Sequence, residues 1–214
     1  VFFYLQWVEE AGPFAEEPNL LDRHLLQVCE AARLLELVHD FVVFDAGTKK
    51  LCRQNQYFGI KAAQDFIRRR EGGIIWHTQG SGKSLTMVWL AKWILANRTG
   101  ARVLIITDRT ELDEQIDKVF TGVHETIYRT TSGADLVNQL NRTEHSLMCS
   151  LVHKFGGKGN DGEGDDAGKQ GTKDFIAALG KLPPDYQARG DVYVFVDECH
   201  RTQGGDLNKA MRSL

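Results

Sequence analysis

Two short segments carry residue types that could bind a polyphosphate and promote its hydrolysis. The first is HTQGSGKS, His77 to Ser84. Gly80 and Gly82 allow the backbone to curl until successive N–H groups face one anion. Thr78, Gln79 and Ser81 complete the loop, and a helix beginning near Lys83 would add the positive end of its dipole. In such a loop Lys83 reaches the outer phosphates, and the Ser84 hydroxyl is placed to ligate Mg2+. The general pattern G-x-x-x-x-G-K-[ST] would put glycine at position 77, where this chain has His77. The shorter GSGKS core is intact.

The second segment is VYVFVDECH, residues 192–200. An apolar strand ends there in two carboxylates with different tasks. Asp197, at the strand tip, can hold a magnesium ion through water, and Glu198 can polarise an attacking water. Phosphoryl transfer needs this kind of positioning and charge neutralisation more than covalent chemistry. Cys199 and His200 point to opposite faces if the strand continues, so they do not form a nucleophile pair or a zinc cluster. His200 is read as a link toward a neighbouring lobe, with a plain packed histidine as the alternative. A phosphate loop followed downstream by a strand ending in Asp-Glu describes an ATP-hydrolysing core.

These residues need elements to hold them. Residues 19–39 read as one helix, with Leu21, Leu25, Val28, Ala32 and Leu35 on a single apolar face. FVVF (41–44) is a short strand candidate before a turn at 45–47. Residues 55–70 look helical and end in three arginines. Strand candidates then follow at 73–77, 102–107, 125–130, 147–152 and 192–197. Helix candidates lie between and beyond them at 83–98, 110–120, 133–141, 173–179 and 206–213. Alternating strands and helices imply crossover connections and a mostly parallel sheet. The predicted fold is α/β, with about five strands flanked by helices and a helical lead-in over 1–50. Residues 51–214 would then form the lobe.

Composition limits the alternatives. The 214 residues are 42% hydrophobic and 26% charged, as in ordinary globular chains. No apolar run approaches the roughly 18 residues of a membrane helix. VFFYLQWV at the start lacks a basic flank and a cleavage site, so it is not read as a signal peptide. The absence of an initiator Met suggests a piece of a longer chain. The four cysteines fit no zinc spacing and are expected to be reduced thiols of a cytoplasmic protein. Net charge is −3, with −7 in residues 9–45 and +4 in the remainder. Such a balance allows nucleic-acid contact without demanding it. Residues 156–171, seven glycines in sixteen positions, predict a mobile surface loop rather than a calcium site.

Four strings together carry a family resemblance: WHTQGSGKSLTM (76–87), IITDRTELDEQ (105–115), VHKF (152–155) and VFVDECHRTQ (194–203). They resemble the motor of the type I restriction enzyme R subunit (HsdR), within the superfamily 2 DEAD/DEAH-like helicases. Residues 41–63 also resemble the stretch preceding that motor, and the likeness covers about 19–214. It implies a RecA-like P-loop lobe in which Lys83, Asp197 and Glu198 are catalytic and Ser84 and Asp197 serve Mg2+. Gln56 resembles the glutamine that reads adenine, with an ordinary polar helix residue as the alternative. Thr107, Asp108 and Arg109 match a motif near the DNA path, or else form a strand-end turn and helix cap. Lys154 and Phe155 match a further strand-end motif.

The resemblance further implies ATP as cofactor, duplex DNA as track, and methylation and specificity subunits as partners, in the cytoplasm of a prokaryote. No Asp-x-Lys or Glu-x-Lys triplet of a PD-(D/E)xK nuclease occurs in these residues. The family's second lobe is expected to lie beyond them. The expectation is therefore an ATP-binding motor lobe for DNA translocation, nearly inactive alone. The alternatives are a lobe of another superfamily 2 helicase, or a non-enzymatic nucleotide-binding scaffold.

Overall fold

The computed structural model describes residues 7, 9–45, 47–78, 80–107, 117, 119–122, 126–151, 177, 180, 182 and 186–197. The chain divides into two compact units, Val1–Trp93 and Ile94–Leu214.

In the first unit, α1 (Leu20–Val28) is capped by Asn19, whose side chain accepts from the N–H groups of Leu21 and Asp22. A second helix, α2 (Ala31–Asp40), begins at Glu30, whose carboxylate accepts from Ala32 and Arg33 N–H. The single helix expected over 19–39 is therefore two. Glu30 offers a side-chain cap that competes with continuing the i→i−4 ladder. The expected apolar face is not covered either: Leu21, Leu25 and Leu35 are exposed. Gln27 and Leu37 are the buried positions of these helices. Periodicity identifies a face, but burial needs an opposing surface.

Strand β1 (Val42–Asp45) pairs antiparallel with β2 (Thr48–Leu51), with Val42 opposite Leu51. The turn uses Gly47 at φ +80°, a conformation glycine adopts without strain. The expected strand at 41–44 is thus present one residue on, and its partner was not foreseen. Helix α3 (Gln54–Arg68) buries Gln56, Tyr57, Ile60 and Gln64. Helix α4 (Lys83–Asn97) is apolar nearly all round, and Val88, Trp89, Leu90, Ala91 and Ile94 are buried. Phe41 ties these elements together, with ring centroids 5.0 Å from Tyr57 and 6.4 Å from Trp89.

The segment 73–77, a strand candidate from the sequence, is not one. Residues 71–78 join no ladder, and Ile74 and Trp76 are 73% and 86% exposed. An apolar run signals a preference for cover, not which backbone will supply hydrogen bonds, and a strand exists only as part of a ladder.

The second unit holds the parallel sheet. Its strands are β3 (Ala101–Thr107), β4 (Tyr128–Arg129), β5 (Leu147–Leu151) and β6 (Asp191–Val196), in the order β4-β5-β3-β6. All pairings are parallel, with Ile105 opposite both Cys149 and Phe195. The α/β reading holds, with four strands among the described residues rather than five. Every residue of β3 is buried, as a central strand covered on both faces requires. Helix α5 (Gly133–Leu140) is capped by Ser132 and covers one face. There Leu104, Ile106, Leu136, Leu140 and Met148 form the core.

Residues 117 and 119–122 are helical, within and just past the helix expected over 110–120. Apart from residue 177, the helix expected at 173–179 lies outside the described residues. So do the one at 206–213 and the glycine-rich 156–171.

Candidate nucleotide site

The phosphate loop runs from an extended approach directly into α4. Gly80 and Gly82 have φ of +76° and +83°, so each curls the chain in the sense only glycine takes freely. The Ser81 N–H donates to the Thr78 carbonyl at 3.3 Å and closes the turn. The Gly82 carbonyl then accepts from the Thr86 N–H at 3.1 Å and the Thr86 hydroxyl at 3.2 Å, which anchors the first turn of α4. The first N–H groups of a helix have no acceptor within it and suit an anion. The Ser81 hydroxyl oxygen is buried and has no hydrogen-bond partner among the described residues. An orphaned polar atom inside a glycine-curled loop fits a bound phosphate, so these residues can hold one. Lys83 and Ser84 occupy the first two positions of α4. Gln79 lies outside the described residues.

Helix α3 grips this loop at both ends. The Gln56 amide nitrogen donates to the Gly82 carbonyl at 2.9 Å, and its oxygen accepts from the Arg53 N–H at 2.8 Å. Gln56 is buried, and each end of its amide keeps one further hydrogen-bonding site. One turn on, Gly59 lies against the His77 ring: a Cβ at position 59 would stand 3.4 Å from His77 Nε2, an ordinary contact. Gly59 went unremarked in the sequence. The available signal was a glycine inside a helical pattern, which often marks a close approach.

The far side of α3 is held by the lead-in. Glu36 of α2 accepts from the Tyr57 hydroxyl and the Lys61 ammonium, both at 2.6 Å. Burial, reinforced by the Glu36 carboxylate, pushes the Tyr57 phenol up to about 12. Arg33 lies 5.7 Å from the Tyr57 ring centre and 5.5 Å from that of Trp7, and it pairs with Glu9.

In the second unit, β3 and β6 end side by side. The Asp197 N–H donates to the Ile106 carbonyl at 3.0 Å, which places Asp197 just past the tip of β6 and beside the end of β3. Asp197 is 7% exposed. Thr107, the last residue of β3, is fully buried, and its hydroxyl has no partner among the described residues. Thr107 and Asp197 are therefore at the same carboxyl edge of the sheet, where ligands of open α/β sheets bind. Asp108, Arg109, Lys154, Phe155, Glu198 and His200 lie outside the described residues.

Cys29, Cys52 and Cys149 are free thiols, the first exposed and the others buried. Among the described residues no three His, Cys, Asp or Glu side chains group as metal ligands. No described helix is long and apolar enough to cross a membrane.

Comparison with known proteins agrees with this geometry. The SWI2/SNF2 ATPase family profile matches residues 55–214. The chain is 29% identical over 204 residues to a putative type I restriction enzyme MjaIXP endonuclease subunit of Methanocaldococcus jannaschii, covering 90% of this chain and 18% of that protein. It is 28% identical over 195 residues to the HindI endonuclease subunit of Haemophilus influenzae, covering 82% of this chain and 17% of that protein. A SauCOLORF180P endonuclease subunit of Staphylococcus aureus is 26% identical over 91% of the chain and 19% of its own length. The chain thus spans a fifth or less of the curated relatives it matches, and the resemblance to type I restriction R subunits is borne out. Its phosphate loop, its parallel sheet and the matched stretch from 55 to 214 show that the chain belongs to the SWI2/SNF2 ATPase family.

Proposed function

We propose that this chain is the nucleotide-binding motor lobe of a type I restriction R subunit, coupling ATP hydrolysis to movement along duplex DNA. The observation that carries the reading is the loop itself. Two positive-φ glycines run into α4, and a buried Ser81 hydroxyl has no hydrogen-bond partner among the described residues. In this reading Thr78, Gln79, Gly80, Ser81 and Gly82 cradle the phosphates, Lys83 neutralises them, and Ser84 and Asp197 hold magnesium. When bound, ATP·Mg2+ supplies an electrophilic terminal phosphoryl group that water can attack. Glu198 orients that water and accepts its proton, and Gln56 contributes to the base side. His200 links the site to a second lobe.

Residues 51–214 make up the lobe and 1–50 the lead-in. Thr107, Asp108 and Arg109 lie toward the DNA. Contacts to the track are mainly to phosphate, so binding should weaken steeply with salt. Methylation and specificity subunits complete the assembly and choose the target sequence. Similarity to endonuclease subunits over most of the chain supports these partners.

The test is a titration of a fluorescent ATP analogue with Mg2+ into the wild-type chain, Lys83→Ala and Asp197→Asn. Lys83→Ala should weaken binding at least tenfold. Asp197→Asn should lose the dependence of affinity on Mg2+. Equal affinity of wild type and Lys83→Ala rejects the assignment.

A further inference from the structure

We propose that Glu36 is a positioning residue for the nucleotide site, acting through α3 on the phosphate loop. The inference rests on the reading of residues 77–84 as that site, and deepens it by adding a control point in the lead-in.

Helix α3 has two working faces. Tyr57 and Lys61 are four residues apart and both donate to the one carboxylate of Glu36. Gln56 and Gly59 are three apart and meet the two ends of the phosphate loop, at Gly82 and at His77. At 3.6 residues per turn these pairs sit roughly 150° apart around the helix axis. Glu36 therefore holds α3 from one side while α3 holds the loop from the other. The grip on the loop is specific in position at Gln56. The Gln56–Gly82 bond fixes the carbonyl that starts α4, while Gly59 lies against the His77 ring at ordinary contact distance. A helix transmits rotation and translation as a rigid rod, so loosening its Glu36 side changes where Gln56 and Gly59 meet the loop.

The Glu36 carboxylate is also the group best placed for this. Its side chain is only 24% exposed, and it joins two different helices. Tyr57 is further held by tilted ring contacts with Trp7 and Phe41, at centroid distances of 5.4 and 5.0 Å. A group that merely adds stability would leave the affinity of the folded protein unchanged. A group that sets the loop geometry changes affinity, and does so chiefly through the one hydrogen bond α3 makes to the loop, from Gln56 to Gly82.

The experiment is a double-mutant cycle on affinity for a fluorescent ATP analogue with Mg2+. It uses the full chain at a temperature where circular dichroism shows each variant folded. Glu36→Ala is expected to weaken binding about threefold to tenfold, and Gln56→Ala by at least as much. The double variant is expected to match Gln56→Ala alone. Glu36→Gln keeps an acceptor for the Tyr57 hydroxyl and should recover part of the loss. Tyr57→Phe removes a single donor, and provides the same test in a milder form where Glu36→Ala does not fold. Wild-type affinity in Glu36→Ala, or in Tyr57→Phe where that variant takes its place, overturns the proposal, and so does strict additivity with Gln56→Ala. Lys83→Ala separates the two readings. If it binds as well as wild type, residues 77–84 are not the site and both readings fall. If it alone loses binding, the site stands and the role of Glu36 does not.

Discussion

The Gln56 side chain and Gly82 constrain each other: the amide donates to the Gly82 carbonyl at 2.9 Å, and a Cβ at position 82 would stand 2.6 Å from that same nitrogen. Gly80, two residues earlier, has a similar φ but open space where its Cβ would be. The two glycines are therefore needed for different reasons. Gly80→Ala should suffer only the backbone penalty, about 1–2 kcal/mol. Gly82→Ala carries the same penalty and also expels the Gln56 amide. Isothermal titration with an ATP analogue should rank them, with Gly82→Ala the weaker binder by a further factor of about ten. The reverse order would show that Gln56 does not shape the loop.

Arg102 provides a stability prediction far from the chemistry. It is 3% exposed, and its guanidinium donates to the carbonyls of Gln139 at 2.6 Å, Arg189 at 2.9 Å, His145 at 3.1 Å and Leu140 at 3.2 Å. Two of those carbonyls end α5, where a cation is also favoured by the helix dipole. Burial lowers the affinity of the group for its proton, yet every N–H of the fork has an acceptor, Met148 Sδ at 3.4 Å beside the four carbonyls. Arg102→Leu should cost about 3 kcal/mol, because several buried carbonyls lose their donor at once. Arg102→Lys should recover little, since an ammonium cannot span four acceptors. Urea unfolding should show a lower midpoint with an unchanged slope.

Gly190 tests the same corner by sterics. Its φ is +86°, and a Cβ there would stand 2.9 Å from the Gly100 carbonyl oxygen and 3.0 Å from Arg102 Cδ. The backbone oxygen cannot move without disturbing the Asp191 N–H bond to Gly100 at 3.1 Å. Gly190→Ala should destabilise by about 2 kcal/mol or more. A variant as stable as wild type in thermal unfolding would rule out this packing of β6 on β3.

Alkaline pH should destabilise the first unit through two raised groups. Burial lifts the Cys52 thiol from 9.0 to about 12, and burial with the Glu36 carboxylate lifts the Tyr57 phenol from 10.0 to about 12. Both folded-state values are higher than the unfolded ones. Their contribution is therefore complete below about pH 9 and is lost as pH rises toward 12. Urea midpoints should be level up to pH 9 and then fall. The fall should be shallower in a Cys52→Ala, Tyr57→Phe double variant, and an identical fall in wild type and variant would refute the assignment.

Thiol labelling gives a direct check on packing. Cys29 is exposed while Cys52 and Cys149 are buried. In a Cys199→Ser background, one thiol should react promptly with a maleimide at neutral pH. The other two should react only on unfolding. Peptide mapping that found Cys149 modified first would contradict the buried central strands.

Much of this protein was legible from residue types and spacing. GSGKS before an apolar helix and an apolar strand running to Asp197 pointed to the ATPase family, because a glycine-rich loop at a helix start and a carboxylate at a strand tip are local devices. The parallel sheet was legible for a similar reason. Continuous apolar runs such as RVLIIT can be satisfied only by cover on both faces, and β3 is buried throughout. Partnership was what the linear pattern could not contain. It did not show that Glu30 would cap a second helix, that Leu21 and Leu35 would face outward, or that residues 73–77 would join no ladder. Nor did it show that Gln56 would hold the Gly82 carbonyl while Glu36 held Tyr57. Periodicity and motif spacing are properties of one segment, whereas a hydrogen-bond partner 26 or 21 residues away is chosen by how whole helices pack. The sequence by itself determined the family of this chain and its α/β class, because both rest on local motifs and apolar runs. Tertiary packing alone decided which surfaces are covered and which distant side chain steadies the loop.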